Sequence, residues 1–414
     1  MNILMLSHWD FQEHGMQVTM RTPLYFAEQG HHVTFVVHSE QTQKPSPRTD
    51  LHENIEVCRA ELSFRWARLP GRLNRLRQLL LFGLHCWRVL ARVCRAGHTP
   101  DLIYAAECDA ILIGSMLSRT MSLPLVTRYY GVSTQLLANP FQHALYAQSV
   151  RCAADLAIIT DDGTVDECLL RQMQVRARSL RFWRNGIDLP SADPQIVRCL
   201  RKRWGIADDH TILLTISRLY GWKRVDRAIR LLRALVQISD GKFRLVVVGH
   251  GPEKDNLMRL CHECGVAEMV HFAGAVPHKD IYACYEIADV FLSLYDMSNV
   301  GNPLLEALNA GKCIITLNNG ETGSVIRNGE NGILLEVRKD GENLARRLAI
   351  AVKTLYDDAK LRARLAETAR RFGQERLWTW DERLKVELQT LVDLVQQRRK
   401  IGNSSSRGRS RFVS

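Results

Sequence analysis

Between Phe64 and Gly97 the chain has no acidic residue, and between Gln396 and Ser414 it again has none. The first stretch carries eight arginines and the second six lysines or arginines, so the two together exceed the net charge of +12. The rest of the 414-residue chain is therefore slightly acidic, and its basicity is local. With no recognised nucleic-acid-binding motif beside that charge, nucleic acid is not expected as a partner. No apolar run reaches the length of a bilayer span: the longest, 79–87, is far too short. The start, "MNILMLSHWD", lacks the basic lead-in of a secretion signal. Eleven cysteines, an odd number scattered through apolar segments, do not form a disulfide framework. The one CxxC, Cys261 and Cys264, has no second pair and no histidine pair at zinc spacing, which favours core packing over metal or redox chemistry. These absences exclude a secreted disulfide scaffold and a spanning membrane protein, and they lead to an expectation of cytoplasmic location.

What is present is a globular composition, 46% hydrophobic and 24% charged, in a chain too long for one ordinary core. Apolar runs at "NILMLS", "HVTFVVHS", "IEVCRA", "LIYAAE", "PLVTRYY" and "LAIIT" alternate with amphipathic stretches, the pattern of a parallel sheet covered by helices. Around "RNGIDLPSADPQ" the rhythm breaks. It restarts with "HTILLTIS", "FRLVVVG", "VHFAGAV", "VFLSLYD", "CIITLN" and "GILLE". The expectation is α/β, two doubly wound domains: 1–192 and 193–377, with a cleft between their strand ends and a terminal helix at about 378–396 returning to the first domain. The polar 41–50 reads as a loop, and the basic 397–414 as a disordered tail.

The stretch "LYDMSNVGNPLLEALNAGKCI" joins a strand, a loop of small residues and a helix. Asn302 is a good N-cap and Pro303 suits the first helical position, so the amides of that turn form an anion site. Glu306, one turn on, either complements the helix dipole or accepts hydrogen bonds from vicinal sugar hydroxyls, and the stretch alone leaves both open. Arg218 and Lys223, five apart after the strand "TILLTIS", are placed to clamp a diphosphate. Arg224 and Arg227 read as solubilising surface charge. Gly15 ends the first strand–helix loop of the other domain, where it either serves the turn or exposes amides toward the cleft.

Taken together, "FAEQGHHVTFV", "RNGID", "SRLYGWKRVD", "LVVVGHGPEKDNL", "VHFAGAV", "ADVFLSLYD" and "GNPLLEALNAGKCIITLNNG" resemble the GT-B glycosyltransferases. Within them the likeness is to the large retaining family 4, over roughly residues 1 to 385. The resemblance implies a fold of two Rossmann-like domains and transfer of a sugar from a nucleoside diphosphate to a hydroxyl with retention of configuration, in cell-surface polysaccharide or glycolipid synthesis. It implies that Arg218 and Lys223 bind the donor diphosphate and Glu306 the ribose. Ser298, Asn299 and the amides of Gly301, Asn302, Pro303 and Leu304 then lie along the phosphates and sugar. Gly15 approaches from the first domain, and Gly249 with Val276 borders the base. "GHGPEKDNL" is no dinucleotide fingerprint, since it lacks the third glycine.

Two positions depart from the family's pattern. Its first donor-site glutamate falls on Ser298, and the histidine it commonly holds near the reacting centre falls on Tyr130. A non-catalytic relative that organises a polysaccharide assembly complex is therefore the alternative reading. In the enzyme reading Arg218 and Lys223 stabilise the leaving diphosphate, Tyr130 stands near the reacting centre, and, with no DxD motif present, neither metal nor cofactor is expected beyond the sugar nucleotide itself. Trp378 and Trp380 are expected in hinge packing. The arginine-rich 64–97 interleaves Leu, Phe and Trp at helical spacing, which fits either an outer core helix or peripheral contact with a membrane bearing a lipid-linked acceptor.

Overall fold

In the computed structural model the residues described are 1–7, 17–39, 52–61, 71–132, 143–164, 175–188, 191–337 and 343–409. The loop read at 41–50 lies outside them, as does Gly15. The chain divides into two compact units, the first built from Met1–Asp161, Glu167–Asn185 and Asp381–Ser414, the second from Asp162–Asp166 and Gly186–Trp380.

The first unit contains β1 (Asn2–Ser7), α1 (Gln17–Glu28), β2 (His32–Ser39), β3 (Ile55–Glu61), α2 (Gly71–Arg95), β4 (Leu102–Ala106) and α3 (Cys108–Met121). It continues through β5 (Leu125–Tyr129), α4 (Ala144–Val150), β6 (Ala154–Thr160) and β7 (Ala177–Trp183). The strands form a parallel seven-stranded sheet in the order β3-β2-β1-β4-β5-β6-β7. Strands such as "LIYAA" and "ADLAIIT" are buried along their whole length, as strands covered on both faces must be. β7 was not expected from sequence: as an edge strand it puts Arg178 and Arg181 into solvent and so has no continuous apolar run.

The second unit contains α5 (Pro194–Arg203), β8 (Thr211–Ile216), α6 (Val225–Leu235), β9 (Phe243–Val248), α7 (Lys254–Glu263), β10 (Val270–Gly274) and α8 (Ile281–Ile287). After these come β11 (Val290–Ser293), α9 (Asn302–Asn309), β12 (Cys313–Asn318), β13 (Ile333–Glu336), α10 (Leu344–Asp357) and α11 (Ala359–Arg376). Its parallel six-stranded sheet runs β10-β9-β8-β11-β12-β13 and has a separate apolar cluster on each face. Cys261 is buried in one of these clusters and its thiol is pushed up to about 11 by burial, consistent with the core reading of the CxxC.

The second unit begins at Gly186, earlier than the break read near residue 193. Ile187 N–H donates to Trp378 O (2.8 Å), Trp380 N–H donates to Asp188 Oδ1 (3.1 Å), and a side chain at 186 would meet the Trp380 backbone at 2.4 Å. Trp380 is buried there, whereas Trp378 is partly exposed. The final helix, α12 (Trp380–Arg409), returns the chain to the first unit. On it Arg383 and Glu387, each 1% exposed, pair at 2.7 Å, Tyr104 donates to Glu387 Oε1 (2.5 Å), and Arg383 lies over the Trp183 ring. The expectation of a disordered tail from 397 is corrected: α12 continues to Arg409, and Arg398 and Arg399 anchor it by pairing with Asp155 and Asp101. Among the described residues no helix is long and apolar enough to cross a membrane.

Candidate active site

In each sheet the strand order reverses once, between β1 and β4 in the first and between β8 and β11 in the second. At such a reversal the helices leaving neighbouring strands go to opposite faces, opening a crevice beyond the strand ends. Of the predicted donor residues, Arg218 and Lys223 follow β8 and Ser298 to Glu306 follow β11, the two strands at the reversal of the second unit.

β8 is buried until Ser217, after which the chain emerges with Arg218 exposed. The crossing at Ser217 needs glycine on the adjacent strand: Gly249 has φ +129°, and a side chain there would stand 1.9 Å from Ser217 O. Arg218 stacks on Tyr220, and one short turn later Lys223 Nζ lies 4.0 Å from the Trp222 ring centre and 3.7 Å from that of Tyr295. Tyr295 is fixed beneath it, its hydroxyl donating to Ile216 O (3.0 Å) and its amide to Asn299 Oδ1 (2.9 Å). Burial, then the nearby Arg218 charge, lowers the Lys223 ammonium to about 7, with Asp162 opposing. Neither Arg218 nor Lys223 forms an ion pair among the described residues. Arg224 and Arg227 do: Arg224 holds Asp226 and Asp296, and Arg227 holds Asp296 (2.7 Å) and Leu294 O (2.7 Å). They are braces of the loop, which corrects the reading of them as solubilising charge.

After β11 the loop is locked from within. Asn299 is fully buried and accepts from Ser293 Oγ and the Tyr295 amide, while its own amide group donates to Leu317 O and Asn319 Oδ1. The Ser298 hydroxyl, also buried, accepts from Val300 N–H (3.1 Å) and is packed against Gly163, where a side chain would come within 2.4 Å of Ser298 Oγ. The cap read at Asn302 is corrected: Gly301 is the N-cap of α9, Asn302 is its first helical residue, and Pro303 follows. Gly301 N–H is spent on Asn299 O (2.8 Å) and Leu304 N–H on Gly301 O (3.0 Å), so these two amides serve the turn itself.

Glu306 is 6% exposed. Its Oε2 lies 2.9 Å from the Tyr285 hydroxyl, which is also 3.0 Å from Pro303 O, and its Oε1 lies 3.7 Å from His278 Nε2. Burial and then the Glu306 charge push the Tyr285 phenol well up. The same carboxylate contributes to raising Tyr295, so Lys223, Tyr295 and Glu306 belong to one electrostatic neighbourhood. Val276 is half-buried against the core beside β10. Trp222, Tyr295, Tyr285 and His278 were not foreseen. Trp222 adjoins Lys223 in "GWK", a usable signal, whereas Tyr295 and Tyr285 read as core.

In the first unit Tyr130 follows β5, and its amide donates to Glu107 Oε1 at 2.6 Å. Glu107 follows β4 directly at the strand-order reversal, with φ 65° and ψ 151°, a region that all residues but glycine avoid. Burial raises its carboxyl to about 7, against the Tyr130 hydrogen bond and the Arg128 charge. Arg128, 1% exposed, has no hydrogen-bond partner at Nε or Nη1 among the described residues. The Tyr130 ring centre lies 5.6 Å from Arg128 Cζ, and burial pushes its phenol up.

Residues 198–372 match the family model described as "Glycosyl transferases group 1". Among curated proteins the chain is 30% identical over 214 residues to the GDP-mannose-dependent alpha-(1-6)-phosphatidylinositol monomannoside mannosyltransferase of Mycobacterium tuberculosis, covering 50% of this chain and 54% of that protein. It is 24% identical over 240 residues to the alpha-monoglucosyldiacylglycerol synthase of Streptococcus pneumoniae, covering 55% and 54%. The chain thus spans about half the length of these curated relatives. Among solved structures, HepE of Anabaena in complex with UDP and glucose superposes with a TM-score of 0.70 at 20% identity over 98% of this chain and 100% of that one. The sucrose-phosphate synthase of Thermosynechococcus elongatus gives 0.72 at 18% over 96% and 100%. The two doubly wound sheets are the GT-B fold, and within it the segment 198–372 is similar to the glycosyl transferases of group 1.

Proposed function

We propose that the protein transfers a sugar from a nucleoside diphosphate to a hydroxyl of a glycan or lipid-linked acceptor, with retention of anomeric configuration, in cell-surface polysaccharide or glycolipid synthesis on the cytoplasmic side. The observation that carries the reading is the pair Arg218 and Lys223, two cations beyond β8 that form no ion pair among the described residues, with Tyr295 standing between Lys223 and the buried carboxylate of Glu306. The relatives' names agree: one is a GDP-mannose-dependent phosphatidylinositol monomannoside mannosyltransferase, and another is a monoglucosyldiacylglycerol synthase.

In this reading the donor diphosphate lies against Arg218 and Lys223. The anion returns Lys223 to its charged form, so the positive charge is greatest when negative charge develops on the leaving group. Glu306 accepts from the ribose hydroxyls, with Tyr285 and His278 holding its carboxylate in place. Departure and attack on the same face then retain configuration, the leaving phosphate oxygen taking the acceptor proton. Because side-chain cations neutralise the diphosphate, the reading needs no metal ion, and turnover that survives EDTA is the check.

Thermal-shift screening against UDP, GDP, ADP and their sugars, followed by assay of released nucleoside diphosphate, tests it. Binding of one diphosphate series that is lost in Lys223→Met, with turnover in the wild type, is expected. The second reading, a non-catalytic subunit, is favoured by the Ser298 hydroxyl being turned inward onto Val300 N–H. Binding without release of diphosphate from any donor would support it instead.

A further inference from the structure

α2 is buried on one side only. Phe82, Cys86, Val89, Leu90 and Val93 face the first unit and are at most 5% exposed. On the other side Leu73, Leu76, Leu80, Leu84 and Trp87 are 46–61% exposed. At about 100° per residue these five fall within a stripe of about 80°, some 20 Å long. Other large exposed apolar side chains, such as Met258 and Ile350, stand singly on different helices, as is ordinary for a surface. A continuous row is not ordinary, because each leucine in it forgoes the gain from burial.

The charge around the stripe identifies what covers it. α2 contains no acidic residue. Arg77, Arg88 and Arg95 fall along one flank of the stripe by the same helical count. Arg88 and Arg95 are exposed, and among the described residues Arg77 bonds only Asn74, within the helix. Arg92, further round, is neutralised by Glu56 from β3. We propose that this face of α2 is a docking surface for an anionic lipid bilayer, with the helix lying in the interface, its leucines and Trp87 among the acyl chains and its arginines at the headgroup phosphates. Apolar contact alone would hold the helix weakly, and the arginine flank supplies the second attraction such binding needs. A second copy of the chain fits less well, since pairing the stripes brings two arginine flanks together with no acid on either helix. The docking uses no donor-site residue, so it stands or falls separately from sugar transfer.

The test is flotation of the full chain with phosphatidylcholine vesicles, with and without phosphatidylglycerol. The wild type is expected to float with the anionic vesicles and to be weakened by about tenfold or more without phosphatidylglycerol or in high salt. Leu76→Glu with Leu80→Glu, and separately Arg88→Glu with Arg95→Glu, should each reduce anionic-vesicle binding by about tenfold or more, with unchanged thermal denaturation because all four side chains are exposed. Met258→Glu, on α7 of the second unit, should change nothing. The proposal is overturned if the wild type fails to float with anionic vesicles or if the leucine variant floats like the wild type. It is also overturned if light scattering finds a dimer that the leucine variant dissociates. Diphosphate thermal shifts should be the same in wild type and leucine variant, which separates this outcome from failure of the transferase reading.

Discussion

The two strand-order reversals are built on the same topology and carry opposite chemistry. Beyond β8 the second unit leaves Arg218 exposed and cages Lys223 between two aromatic rings, with no ion pair to either among the described residues. Beyond β4 the first unit presents a carboxyl, Glu107, while its own cations are compensated or enclosed: Arg383 by Glu387, and Arg128 under the ring of Tyr130. A site with uncompensated positive charge favours a diphosphate. One with a half-buried carboxyl at the strand end favours hydroxyl groups. The difference is written in what each unit does with its arginines, not in the fold.

The largest expected effect comes from breaking the compensation in the first unit. Glu387→Ala leaves Arg383 buried without its carboxylate and Tyr104 without its acceptor, and should cost about 3–5 kcal/mol of stability in chemical denaturation. In the second unit, by contrast, Lys223→Met should leave the fold intact and cost roughly 2–4 kcal/mol of transition-state stabilisation, read as kcat at saturating donor. Near-normal turnover in that variant would remove the contrast between the two sites.

A smaller effect sharpens it. Glu107→Gly gives up one hydrogen bond but relieves a strained backbone and a partly desolvated carboxyl, so a gain of about 1 kcal/mol is expected in thermal denaturation. Loss of stability would mean that the Glu107 contact with Tyr130 outweighs the strain.

The pH dependence should have opposite signs in the two units. Glu107 titrates near 7 when folded, above the ordinary carboxyl value of 4.5, so its contribution is present below about 4.5 and lost as pH rises to 7. Lys223 titrates near 7 when folded against an ordinary 10.5, so the unfolded chain holds more protons between those values and stability rises with pH across that window. Denaturation curves of Glu107→Gln and Lys223→Met against pH should each lose one of these slopes.

Most strands were legible because strands buried on both faces need unbroken apolar runs. β7 was not, because at the sheet edge its two arginines, Arg178 and Arg181, face water and break the apolar run. The helical continuation to Arg409 was hidden by composition: a basic segment reads as a tail until ion pairs to Asp155 and Asp101 are seen. At the site, Arg218, Lys223 and Glu306 could be placed from strand ends and a helix start. The Lys223 cage could not, since Tyr295 reaches it from another strand and is indistinguishable in sequence from core. Glu107 left no sequence signal at all, because what marks it is a backbone angle.

Proton-linked calorimetry of nucleoside diphosphate binding, in buffers of different ionisation enthalpy at about pH 8, asks most directly whether Lys223 is the open cation of the donor site. Binding should draw a proton onto the protein, and Lys223→Met should abolish both the uptake and most of the affinity. Diphosphate binding with no proton uptake, unchanged in that variant, would contradict the account.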